Sequence, residues 1–219
     1  MNIKNIILSV IVCVPVSMMA QNVWERPDTE TVQPKKETAN KKEPLSDERY
    51  LANAVPEVNG KVEWQLDVDV PGKNAKQLYD TMLGYMTSIT KEENQLEGST
   101  VALVNKQDHI IVTNMKEWLV FKDNFIALDR TKFFYNLVTT CTDGHVNVRM
   151  NRLMYRYEEQ REGGGHVLKA EEYINDKNAL NKKKTKMYKG VAKFRRKTID
   201  RKDYLFSSIV QLLTKKTQE

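Results

Sequence analysis

The run Val62-Glu63-Trp64-Gln65-Leu66-Asp67-Val68-Asp69-Val70-Pro71-Gly72-Lys73-Asn74 holds a strand, its stop and the cap of a helix. Val62, Trp64, Leu66, Val68 and Val70 alternate with Glu63, Gln65, Asp67 and Asp69. Successive strand side chains point to opposite faces, so this is a strand with one buried and one wet side. Pro71-Gly72 ends it, and Asn74 with Gln77 three residues on forms a capping box. Ala75, Leu78, Tyr79, Met82, Leu83, Met86 and Ile89 then fall at helical spacing as one apolar stripe that should lie on a sheet.

Downstream the pattern predicts more strands. Residues 101–104 and 110–112 flank a turn at Gln107-Asp108, and 118–121 form a further short strand. The longest pair, 131–141 and 145–157, meets at Asp143-Gly144, a favoured tight turn. Within 145–157 the apolar set shifts from Val146, Val148 and Met150 to Leu153, Tyr155 and Tyr157, and that change of parity predicts a bulge near Asn151-Arg152. After Gly163-Gly164-Gly165 a last strand covers 167–173. Residues 181–202 read as a basic, poorly periodic connector, followed by a helix over 203–215 with Leu205, Ile209, Leu212 and Leu213 as its stripe. Strands with one early and one C-terminal helix specify an α+β domain built on an antiparallel sheet.

Upstream the chain changes character. Residues 1–20 carry Lys4, an apolar run over 6–16 and Ala20, the layout of a secretory signal peptide cut near Ala20. Cys13 follows Val12, where lipoprotein processing requires a small residue, so a lipid anchor is disfavoured. Residues 21–44, with Pro27 and Pro34, are polar and aperiodic and predict a disordered linker. The ordered domain is placed at 45–219. Only Cys141 lies downstream of the leader, so no intramolecular disulfide is available, and a buried, inert thiol is expected. No transmembrane span is expected after cleavage.

Charge is distributed unevenly. Residues 61–175 hold fourteen basic and seventeen acidic side chains, whereas 176–219 hold fourteen basic and four acidic, net +10. Such an end should either attract the acidic body or face a separate partner.

Ala54-Val55-Pro56, the strand 62–70, Leu78-Tyr79-Asp80, Leu128-Asp129-Arg130-Thr131, Asp143-Gly144, Tyr155-Arg156-Tyr157 and the stretch 193–203 together resemble a family of exported Bacteroidetes proteins. That family is a domain of unknown function with a fold like the TATA-box-binding protein. The resemblance runs from about Tyr50 onward and implies a TATA-box-binding-protein-like fold and an envelope compartment. It brings no catalytic or binding residues, and fold alone does not imply DNA binding.

The strongest candidate site is basic. Lys182, Lys183, Lys184, Lys186, Lys189, Lys193, Arg195, Arg196 and Lys197, extended by Arg201 and Lys202, are interleaved with Met187, Tyr188 and Phe194. In the cytoplasm this composition would suggest nucleic acid. On an exported chain the available anions are phospholipid headgroups, lipopolysaccharide phosphates and acidic glycans, so a nucleic-acid partner is not expected. The competing account is a solvated connector neutralised by the acidic body.

Other clusters read as structure. Glu63, Asp67 and Asp69 are solvent-facing strand positions, and His109, His145 and His166 sit at turns without metal spacing. The glycine run lacks the Lys-Ser/Thr of a phosphate loop. Trp118, Phe133, Tyr135, Tyr155 and Tyr157 could line a ligand groove, but period-two spacing already explains them as core or cross-strand partners. No cofactor, metal or catalytic residue is assigned. The resulting expectation is a non-catalytic exported accessory module that binds an anionic envelope surface or another envelope protein through its basic end. Its rivals are an enzyme acting on envelope glycan or lipid, which needs convergent titratable groups in a cleft, and a structural component of an envelope assembly.

Overall fold

The computed structural model describes residues 47–124 and 127–215. The expected leader, the linker 21–44 and Cys13 lie outside the described residues. A 3-10 turn (Asp47–Tyr50) precedes a small hairpin of β1 (Glu57–Val58) and β2 (Lys61–Val62). There follow β3 (Trp64–Asp69), α1 (Ala75–Ile89), β4 (Thr100–Asn105), β5 (Ile110–Asn124), β6 (Ala127–Thr142), β7 (His145–Tyr157) and β8 (His166–Lys169). Two one-turn helices, α2 (Ala170–Tyr173) and α3 (Asp176–Ala179), lead to α4 (Lys189–Thr214). Strands β3 to β8 form one antiparallel sheet in the order β3-β7-β6-β5-β4, as the patterning predicts, with β8 also pairing β7.

The bulge in β7 explains why two strands share its outer edge. Phe134 pairs with Met154 but Asn136 with Asn151, so β7 carries an extra residue there, and Arg152 takes a left-handed φ of 55°. β3 pairs with the 145–150 side of the bulge and β8 with the 154–157 side. Burial changes parity with it: Val146, Val148 and Met150 face the core, then Leu153 and Tyr155.

The Asp143-Gly144 turn, with Gly144 at φ 72°, also fixes α1. Asp143 accepts a 2.7 Å hydrogen bond from the Ala75 N–H at the positive end of the helix. The Asn74–Gln77 capping box forms beside it, and Leu78, Tyr79, Met82, Met86 and Ile89 are buried as the stripe predicts. Together with the inward residues of β5, β6 and β7 and the stripe of α4, they make one core. Cys141 is buried in it, and burial pushes its thiol up to about 11, well outside the reactive range.

Three elements differ from the sequence expectation. β5 is one unbroken strand instead of two short pieces; the pattern breaks because a charged residue, Glu117, occupies an inward position between Met115 and Leu119. The basic connector is mostly helix: α4 starts at Lys189 and runs for 26 residues, about 39 Å. The last strand stops at Lys169, and 170–173 turn into a helix that puts Ala170 in the core. No helix among the described residues is long and apolar enough to cross a membrane.

Candidate functional site: the basic segment and the open sheet face

Of the nine basic residues singled out from sequence, four are engaged inside the chain. Arg195 is wholly buried, which removes it from any surface set. Its guanidinium donates at 2.6 Å to the carbonyls of Tyr50, Leu51 and Ile174 and to the Asp176 carboxylate. Burial works against the charge on Asp176, but the Asn53 N–H and Arg195 hold its carboxyl below the usual range. Lys193 donates at 2.7 Å to both Asp129 and the Tyr157 hydroxyl, and its ammonium lies 4.4 Å from the Tyr157 ring centre and 4.9 Å from that of Phe121. Arg196 grips Asp47 at 2.9–3.1 Å, and Lys184 reaches Asp176 at 3.3 Å.

Arg201 is also buried, against a buried partner. It donates to the two Glu117 oxygens at 2.8 and 2.7 Å and to Glu92 at 3.0 Å. The Tyr135 hydroxyl and the Gln95 amide donate to Glu117 as well. Burial alone would lower the Arg201 guanidinium, but Glu117 holds it above its ordinary value, and burial followed by Glu117 raises the Tyr135 phenol.

Lys182, Lys183, Lys186, Lys189 and Lys197 remain without a carboxylate partner among the described residues. The first three project from a tight turn that Asn181 holds, its side-chain oxygen accepting the N–H groups of Thr185 and Lys186 at 2.8 and 3.2 Å. A bridge between Leu180 and Met187 closes that turn. Lys189 opens α4, and Lys197 lies two turns along the same helix.

The sheet presents a second surface. Both long helices pack against the inward residues, and the outward residues of β5, β6 and β7 line up in cross-strand rows: Trp118 with Lys132 and Arg156, Lys116 with Phe134 and Met154, Asn114 with Asn136 and Asn151. The Arg130 guanidinium lies 3.8 Å from the Trp118 ring centre, and that of Arg156 lies 5.4 Å from Phe134. Among the aromatic residues weighed for a groove, Phe133, Tyr135 and Tyr155 are core, whereas Trp118 is on this outer face.

At the β3 edge the structure joins groups that the sequence leaves separate. His145 contacts Asp69 at 2.8 Å and Asp67 at 3.1 Å, and Asn147 donates to Asp67 at 2.8 Å. The three ionisable side chains are exposed on a flat strand pair, 36% for His145 and 50% and 86% for the aspartates. Hydrogen bonds donated to Asp69, then Asp67, raise the His145 pKa from the ordinary 6.5. The interaction therefore stabilises the fold below about pH 6.5 and is lost as pH rises through the elevated value. An NMR titration should place His145 above 6.5, with Asp69→Asn moving it back; equal values in both proteins would remove the pairing. His109 instead stands edge-on to Tyr79, ring centres 5.7 Å apart, and His166 is exposed on β8.

The profile of a family described as a domain of unknown function (DUF4468) with TBP-like fold matches residues 64–156. The chain is similar to a crystallised DUF4468 family protein from Bacteroides ovatus, with 36% identity and a TM-score of 0.73 over 80% of this chain and 99% of that one. A TBP-like protein from Parabacteroides distasonis shares the fold at 18% identity and a TM-score of 0.56, over 74% of this chain and 99% of that one. Among curated proteins nothing matches.

Proposed function

Because the chain belongs to the DUF4468 family of TBP-like domains, whose function is unknown, we propose that it is an exported, non-catalytic accessory module of the cell envelope. It holds an anionic partner through Lys182, Lys183, Lys186, Lys189 and Lys197. The supporting observation is the division of labour in the basic segment: Arg195 and Arg201 are internal, Lys182, Lys183, Lys186 and Lys189 are exposed on an ordered turn and the start of α4, and Lys197 is half-buried two turns along that helix. Near an anionic surface each contributes about 1 kcal/mol, so together they suffice for reversible, salt-sensitive attachment. The signal-peptide layout of residues 1–20 favours export, which makes lipid headgroups and acidic glycans the anions within reach. A binding role is favoured over hydrolysis because the His–carboxylate group found among the described residues lies on a flat, exposed edge where water is not excluded.

Sedimentation with vesicles containing phosphatidylglycerol, at low and high salt, tests this. The full chain should bind at low salt and release at high salt, and replacing the five lysines with glutamine should weaken binding by at least about tenfold. Binding that is absent, salt-insensitive or unchanged in the variant would remove the proposal.

A further inference from the structure

The outer face of the sheet carries a second site that none of the five lysines touches. We propose that it binds a linear acidic polysaccharide, a chain of uronic-acid type, along Arg130, Lys132 and Arg156 and the amide row Asn114, Asn136 and Asn151.

The cations are held ready for carboxylates. Arg130 is exposed and its guanidinium lies 3.8 Å from the Trp118 ring centre, a cation–π contact that holds it on this face with N–H groups to donate to a carboxylate. Arg156 makes a looser contact, its guanidinium 5.4 Å from the Phe134 ring centre. Lys132 sits between them in the Trp118 row and pairs with Glu159 at 2.5 Å, with Arg156 3.9 Å from the same carboxylate. One carboxylate against three cations leaves this band positive, complementary to a polyanion.

The next row adds a further cation, Lys116, beside Phe134 and Met154, and the row after it supplies amides. The Asn114 and Asn136 amides have no side-chain partner among the described residues, and Asn151 donates to Glu63 at 2.8 Å. Successive rows on one face lie about 7 Å apart. Cations followed by amides on a flat, open surface suit an extended polymer that carries both carboxylates and hydroxyls.

The same geometry disfavours other polyanions. Single-stranded nucleic acid is held largely by bases stacking on free aromatic faces, but among the described residues the Trp118 and Phe134 rings of this surface each already have a guanidinium over them, at 3.8 and 5.4 Å. A bilayer would need a continuous apolar patch, whereas the exposed Leu103 and Val104 stand on β4, Val167 stands on β8 toward the other edge, and Leu128 on β6 is followed two residues on by the charge of Arg130.

Titration of the full chain with oligogalacturonate, its methyl-esterified neutral form and a single-stranded oligothymidylate decides the matter. Oligogalacturonate should bind, with the esterified form weaker by about tenfold or more, and Arg130→Gln/Arg156→Gln should lose about tenfold in affinity. These are surface substitutions, and circular dichroism will show whether the fold persists. The arginine variant should still sediment with phosphatidylglycerol vesicles, and the five-lysine variant should keep the part of oligogalacturonate binding that Arg130→Gln/Arg156→Gln removes, so the two sites fail or stand separately. Absence of oligogalacturonate binding, equal binding of the esterified form, an unaffected arginine variant, or tighter binding of oligothymidylate would each overturn the proposal.

Discussion

Arg201→Ala should destabilise the fold by about 3–5 kcal/mol, because it leaves the Glu117 carboxylate buried without its countercharge. Glu117 is 0% exposed and retains only the neutral donors Tyr135, Gln95 and Asn94 once the guanidinium is gone. That loss is a large part of the roughly 5–15 kcal/mol available to a domain. Removing both charges is a different matter, since an apolar pair avoids the desolvation that the ion pair has to offset. Glu117→Leu/Arg201→Met should therefore regain most of the lost stability, with its urea midpoint near that of the parent. An Arg201→Ala protein within about 1 kcal/mol of the parent would show that the pair does not clamp α4 to β5.

Arg195→Ala should be comparably severe for a different reason. Here one guanidinium satisfies three backbone carbonyls, on Tyr50, Leu51 and Ile174, and thereby ties the 3-10 turn and the end of α2 to α4. Leu51 still accepts the Ala54 N–H at 3.2 Å, but the Tyr50 and Ile174 carbonyls left unpaired cost about 1–3 kcal/mol each, and the Asp176 pair is lost as well, so a fall of about 3–5 kcal/mol is expected. Arg195→Lys should recover less than half of it, because an ammonium cannot reach four acceptors on two chain segments as a planar fork does. Full rescue by lysine would mean that charge alone, without the fork geometry, is what the site requires.

These two arginines also mark where the sequence stops being legible. The run 62–89 can be read from its residues because every level agrees: alternation, turn, cap and stripe all point the same way. The bulge at Arg152 is equally visible, since a change of parity has few other meanings. α4 before residue 203 is hidden because Arg195, Thr198 and Arg201 occupy its buried positions, and a hydrophobicity pattern scores them as exposed. Glu117, the partner of Arg201, splits β5 in the same way. One buried ion pair thus obscures two elements at once.

The open face was missed for a non-local reason. Alternation shows which residues share a side with Trp118, but only the docking of both α1 and α4 on the opposite side leaves that side uncovered. Of the nine basic candidates, the sequence offers no local signal that separates Arg195 from Lys197. The difference lies in carbonyls contributed by residues more than a hundred positions away and by Ile174.

The account rests on the basic segment having two jobs, an internal clamp made of arginines and an external surface made of lysines. Urea unfolding of the variant with Lys182, Lys183, Lys186, Lys189 and Lys197 all replaced by glutamine, run beside Arg195→Ala, tests that most directly. The lysine variant should unfold within about 0.5 kcal/mol of the parent, as surface substitutions do, while Arg195→Ala falls by several kcal/mol. A lysine variant as unstable as Arg195→Ala would contradict the division.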